Sequence, residues 1–242
     1  MDLAGYVSLT RQAGLDKQLQ TVANNIANVS TTGYQREDVV FAEMVDLLPV
    51  EGGAIAMTDA RGRYTDLVQG ALVPTGGTFD FAIEGDGYFR VMTPEGERLT
   101  RAGTFSKDGN GQLVNMDGHQ FLDEGGGPII IPFEAQNVNL STDGTLSADG
   151  VPLAQLGLFV PEDPTTVFRE AGVLYRVDGE IIPVEPGSAN IVQGFVEQSN
   201  VNAVSEMSKL IEVQRAYEFG QKLLDQEDER IKQVVQVLGQ GR

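Results

Sequence analysis

The chain has no cysteine and no tryptophan, and a single histidine, His119. The first absence excludes disulfides, thiolate metal sites and cysteine nucleophiles. Bases are also scarce, with 17 Lys and Arg against 35 Asp and Glu and a net charge of −18. Such a chain repels phosphate backbones and anionic lipid, so nucleic-acid and peripheral membrane binding are disfavoured. No apolar run approaches the roughly 18 residues of a membrane span, so direct membrane insertion is not expected. The Met-Asp-Leu start carries no basic segment, apolar run or small-residue cleavage site. The expectation is export, if any, without a cleaved signal peptide.

What is present is a core-forming 41% of apolar residues in 242 positions, enough for one or two domains. The acid excess is local. Residues 1–34 hold two acids and two bases, residues 196–242 hold eight and six, and the middle holds 25 against nine. Near-neutral ends can pack against each other without strong repulsion, while the acidic middle stays soluble.

Both ends read as helices. Leu210, Val213, Tyr217, Gly220, Leu224, Ile231, Val234 and Leu238 form a stripe spaced by three and four, broken at Glu227, and Leu15, Leu19, Val22, Ile26 and Val29 keep the same rhythm. Leu3, Tyr6 and Val7 fit a looser face. A helix of about 30 residues is about 45 Å long, so each terminal helix needs a partner, and the other end of the chain is the first candidate for a coiled coil. The first helix is expected over 2–29, stopping at Ser30-Thr31-Thr32-Gly33, and the last begins near Asn200 or Asn202, either a good N-cap. A second apolar face, Val204, Met207 and Ile211, suggests ends that order fully only on assembly.

Between the ends, the glycine-rich 49–77 reads as an irregular connector with at most short strands. From Phe79 the period becomes two, and Gly85-Asp86-Gly87 suggests a hairpin into Tyr88–Val91. Asp-Gly recurs at 86, 108, 117, 143, 149 and 178, with Asn110-Gly111 added, each a tight-turn signal. The fold class expected is α+β, mostly β with terminal helices: a helix pair from 1–34 and 196–242, a connector over 35–78, and an antiparallel barrel or sandwich over 79–195.

No catalytic constellation assembles. His119 follows Asp117-Gly118 in a turn, Asp108, Asn110 and Gln112 alternate as calcium ligands would but lack the closing acid, and Gly125-Gly126-Gly127 precedes proline rather than a phosphate-binding Lys-Ser/Thr. The reading is a protein without enzyme activity, cofactor or metal. Asn24, Asn25 and Asn28 are poor helix formers that suit a fraying helix end, or fix register beside an apolar seam.

Residues 23–34, Ala-Asn-Asn-Ile-Ala-Asn-Val-Ser-Thr-Thr-Gly-Tyr, resemble the N-terminal signature of the flagellar axial proteins, the rod and hook subunits of the bacterial flagellum. Phe79 to Val91, Arg101-Ala-Gly-Thr-Phe-Ser106 with Asn110-Gly-Gln-Leu-Val114, Gln193-Gly194 with Glu197-Gln-Ser-Asn-Val201, and Glu206-Met207 through Gln214-Arg-Ala-Tyr-Glu218 resemble its later blocks in order. The resemblance implies a structural subunit of the basal-body rod, most like its proximal type with the distal type second. It implies assembly with copies of itself and with inner-rod and distal-rod proteins, in a rod spanning the periplasm. The assembly interface would use Leu15, Leu19, Val22, Asn25, Ile26, Asn28, Val29, Leu210, Val213, Tyr217, Leu224, Ile231, Val234 and Leu238. Phe41 and Val45 resemble the Phe-x-x-x-hydrophobic segment by which the flagellar type III export apparatus receives rod and hook substrates. A competing reading is a secreted acidic β-domain that binds a carbohydrate or protein ligand and trimerises through its helices.

Overall fold

The computed structural model describes residues 3–47, 54–141, 143–185 and 187–239, with the side chains of 3–7, 41–47, 54–61, 171, 234–235 and 237–239 outside that description. The chain divides into two compact units, one built from 1–27, 36–66 and 201–242 and the other from 28–35 and 67–200. The architecture is α+β and mostly β, with one helix at each end.

In the first unit, α1 spans Leu3–Ala27, β1 Glu37–Leu47, β2 Ala54–Thr65 and α2 Ala203–Gly239. The two helices pack side by side, and α1 also packs on β1 and β2. Gln12 reaches Tyr217 while Asn25 reaches Glu206, so the helices run antiparallel. The two strands pair along their full length with one bulge after Val40. The ribbon lies within the expected 35–78 connector, and its second strand falls where 49–77 was expected to be irregular with at most short strands. Its pairing supplies the backbone bonds that a glycine-rich segment without clean alternation does not advertise in one dimension.

Helix ends follow local chemistry. α1 stops two residues before the expected Val29, because the Asn28 carbonyl and side-chain oxygens accept from the Thr31 amide and hydroxyl at 3.1 Å each and Gly33 sits at φ +69. Of the two candidate caps for α2, Asn202 takes the role: its side chain accepts from Ser205 N at 3.1 Å and its carbonyl from Glu206 N at 3.0 Å. Asn200 instead donates to the Val68 carbonyl at 2.8 Å.

The second unit is mostly β, with one 3-10 turn at Pro164–Thr166. Its largest sheet has seven strands, Val167–Ala171, Leu174–Val177, Gly96–Thr100, Phe89–Thr93, Gln120–Phe121, Leu113–Val114 and Ser106–Lys107, lying side by side in that order. Among the described residues four smaller sheets complete this unit, and no ring of strands closes. Phe81, Phe89, Phe105 and Phe121 fill its core, with Phe105 and Phe121 stacked at 4.1 Å. The expected hairpin around Gly85-Asp86-Gly87 does not form. Phe81–Glu84 pairs instead with Asn190–Gln193, and Phe89–Thr93 with Gly96–Thr100. The Arg101 guanidinium donates to the Gly85 and Gly87 carbonyls at 2.9 and 2.6 Å, and these bonds hold the corner open between two sheets. Asp149-Gly150 does make a two-residue hairpin, with φ +50 and +84.

Candidate assembly elements

Asn25 is fully buried at the end of α1. Its side-chain amide donates to the Glu37 carbonyl at 2.8 Å and to Glu206 Oε2 at 3.2 Å, and its oxygen accepts from Glu37 N at 3.0 Å. A carboxamide reproduces the donor and acceptor of a peptide group, so Asn25 caps the edge of β1 and ties it to α2. Glu206, 1% exposed, also accepts from Arg36 Nε at 2.6 Å. Arg36 bonds Asp38 at 3.0 Å, and Lys209 Nζ reaches both Asp38 oxygens at 2.7 Å. One polar lock thus joins α1, β1 and α2. Burial pushes the Asp38 carboxyl up, but Lys209, the Val39 amide and Arg36 outweigh it and hold the group below the ordinary carboxylate value. The Glu206 bond likewise raises Arg36 against burial.

Around this lock lie the apolar positions of the two stripes. Val22 and Val213 are buried, Leu15, Leu19, Ile26, Leu210, Tyr217 and Leu224 half-buried, and Ile231 is 46% exposed. Asn28 and Val29 fall beyond α1, in the second unit. Val234 and Leu238 lie on α2 with side chains outside the described set. Phe41 and Val45 lie on β1 opposite Ala60 and Ala56, their side chains likewise outside it. Val204, Met207, Ile211, Phe219 and Leu223 are exposed along α2.

In the second unit three sequence blocks converge. Gly33 N donates to the Glu197 carbonyl at 2.8 Å, and an added Cβ at Gly33 would run into the Ala102 backbone. Arg101 Nε lies 2.9 Å from Glu197 Oε2, an ion contact rather than an aligned hydrogen bond. Glu197 also accepts from Gly70 N at 3.1 Å. Tyr34 and Gln35 are buried beside it, with Arg169 over the Tyr34 ring at 4.3 Å and donating to the Gln35 carbonyl. Burial pushes the Glu197 carboxyl above its ordinary value, which Arg101 only partly offsets.

Sequence reasoning singles out Asn25 but not Arg36, Asp38 or Lys209. Their charges are separated from their partners by about 170 positions, and only opposite-charge residues flanking the two helix ends hint at them. Among the described residues there is no group of three or more potential metal ligands, and no helix is long and apolar enough to cross a membrane.

Terminal helices of one chain locked to each other, with side chains committed to packing and backbone bonding, define a structural subunit of the axial type. Family models match at 6–35 for "Flagella basal body rod protein", at 82–148 for "Flagellar hook protein FlgE/F/G D1 domain" and at 192–237 for "Flagellar basal body rod FlgEFG protein C-terminal". The chain is 38% identical to the flagellar basal-body rod protein FlgF of Caulobacter vibrioides, covering 99% of each chain. It is 35% identical to FlgF of Mesorhizobium japonicum over 97% of each. Against the rod protein FlgG of Bacillus subtilis it is 31% identical, covering 95% of this chain and 97% of the relative. The chain belongs to the flagellar basal-body rod protein family. It is a structural subunit of the flagellar basal body, not an enzyme.

Proposed function

We propose that this chain is a subunit of the proximal rod, assembling with copies of itself and with inner-rod and distal-rod proteins to carry motor torque through the periplasm. The observation that carries this reading is the ordering of relatives: 38% and 35% identity to proteins named FlgF, against 31% to one named FlgG. In this reading α1 and α2 wind as a coiled coil in an inner layer. Leu15, Leu19, Val22, Ile26, Leu210, Val213, Tyr217 and Leu224 serve the seam between them. Ile231, Val234 and Leu238 extend it toward neighbours, and Asn28 and Val29 lead from the helix into the β unit. The β unit forms an outer layer. Contacts repeat heterologously from subunit to subunit, so torque resistance is collective. Phe41 and Val45 serve the type III export apparatus on the unfolded chain, before β1 pairs with β2.

The test is deletion in the source bacterium followed by isolation of basal bodies. A proximal subunit predicts that inner-rod proteins remain while distal rod and hook are lost, with recovery when the full chain is supplied. Basal bodies that keep other proximal subunits and lose only the distal segment would assign the chain to the distal rod.

A further inference from the structure

The ribbon of β1 and β2 is a two-stranded sheet, and among the described residues no other strand lies along either edge. At the start of β1 the edge is capped, Glu37 by Asn25 and the Val39 amide by Asp38 at 2.9 Å. Past the first residues the strand continues for most of its eleven. A strand edge with no neighbouring strand presents a row of amides and carbonyls, a template for another strand that folded proteins ordinarily cover or blunt.

The charges along the ribbon are sorted by strand. β1 carries Glu43 and Asp46 beyond the capped segment and no base, while β2 carries Arg61 and Arg63 against Asp59. In the register of the ribbon no charged position stands directly opposite another: Glu43 pairs with Thr58, Asp46 with Ile55, Asp59 with Ala42 and Arg63 with Val39, and Arg61 falls at the bulge. Cross-strand pairing of opposite charges stabilises a sheet, and like charges directly opposite destabilise it. Beyond its capped segment β1 is acidic while β2 carries two bases to one acid, so the two edges of the ribbon complement each other between copies.

We propose that the acidic edge of β1 on one subunit pairs with the basic edge of β2 on the next copy of the same chain, extending the ribbons into a continuous antiparallel sheet. The two strands of a ribbon run in opposite directions, so one repeated rotation and translation keeps the antiparallel order at every junction. The interface is heterologous and open, which suits a helical array. Main-chain bonds give strand addition its affinity, and the sorted charges give it polarity, since β1 against β1 brings acids together. The inference rests on the chain polymerising as a rod subunit.

Because the chain has no cysteine, every thiol in a test is an introduced one. Val40 and Tyr64 are 47% and 49% exposed, so Val40→Cys and Tyr64→Cys are placed on separate full-length chains, co-expressed, and treated in isolated basal bodies with a thiol cross-linker of about 15 Å. That reach tolerates about four residues of stagger at about 3.3 Å per residue. The expected result is a mixed dimer, one Val40→Cys chain joined to one Tyr64→Cys chain, several-fold more abundant than either homotypic dimer. Its yield should fall several-fold when Arg61→Glu and Arg63→Glu are added to the Tyr64→Cys chain, and recover when the other chain carries Glu43→Lys and Asp46→Lys. Homotypic dimers in equal yield, cross-links only to a different rod protein, or no dimer with the chain present would overturn the pairing. Absence of the unmodified chain from basal bodies would overturn the rod assignment itself, and the pairing with it.

Discussion

Asn25 has every polar atom engaged in a place no water reaches, so its replacement is a test of the lock at a single residue. Asn25→Ala strips a partner from the Glu37 amide, the Glu37 carbonyl and Glu206 together, and should destabilise the first unit by about 3 kcal/mol. Asn25→Asp should cost at least as much, because a carboxylate cannot donate to the Glu37 carbonyl and would lie against Glu206. Urea midpoints followed by amide exchange at residues 205–213 measure both; a loss under about 0.5 kcal/mol would mean that the lock contributes nothing. Gly33 is constrained by conformation rather than by partners. Gly33→Ala must hold φ +69 with a Cβ driven into the Ala102 backbone, and a loss of about 2 kcal/mol or more is expected in the second unit alone. Titration separates the two units further. Asp38 has its carboxyl pKa lowered on folding, so its contribution is complete above the unfolded value of about 3.9 and disappears as pH falls through the folded one. Glu197 is raised, so its contribution is present below the unfolded value and lost as pH rises through the folded one. Acidification below about pH 4 should therefore loosen the first unit ahead of the second. The Asp38→Asn variant should be weaker at neutral pH and lack this acid limb, which pH-dependent exchange at residues 205–213 would show.

At the level of elements, the stripes on the terminal helices divide into positions used within the chain and positions left over. Val213 is buried, whereas Ile231 is half-exposed on the same helix. Val213→Ala should cost about 2 kcal/mol of first-unit stability through lost burial and the cavity left behind. Ile231→Ala should cost the free chain less than about 0.5 kcal/mol and still reduce incorporation into basal bodies, because nearly half of its surface is left exposed in the single chain. Equal effects on stability and incorporation would remove the distinction between seam and assembly face. The helices themselves are legible in sequence because a period near 3.6 extends over many turns in α2, and Asn202 is a cap with a recognisable residue type. The β1–β2 ribbon is not. Its strands lack an uninterrupted alternation, and Gly62 with Arg61 forms a bulge that shifts the register partway along. The corner at Gly85-Asp86-Gly87 misleads for a related reason: the residues of a hairpin turn are there, but Arg101, remote in sequence, takes the carbonyls and sends the two strands to different sheets.

Over the whole molecule, what sequence order conveys poorly is which distant blocks touch. The blocks around Gly33, Arg101 and Glu197 are each visible as motifs, yet nothing in one dimension says that the first supplies a backbone wedge, the second a buried cation and the third its counter-charge. The same partition governs how the chain should unfold. Among the described side chains the first unit buries only Val22, Val39, Val201 and Val213 of its apolar residues, whereas the second buries a phenylalanine cluster and the strands around it. The first unit therefore leans on hydrogen bonds and ion pairs that individually contribute about 1 kcal/mol, and on apolar stripes that are only half covered. Partial burial leaves the hydrophobic term incomplete until neighbours arrive. In the isolated full-length chain, residue-resolved amide exchange should show α1, α2 and the ribbon opening at lower free energy than 79–190, and denaturant unfolding should be biphasic, with the second unit melting last. Assembly into basal bodies should raise protection in the first unit selectively. A single cooperative transition with uniform protection in the free chain would mean that the terminal helices already reach full stability alone, and that rod neighbours add contacts without completing the fold.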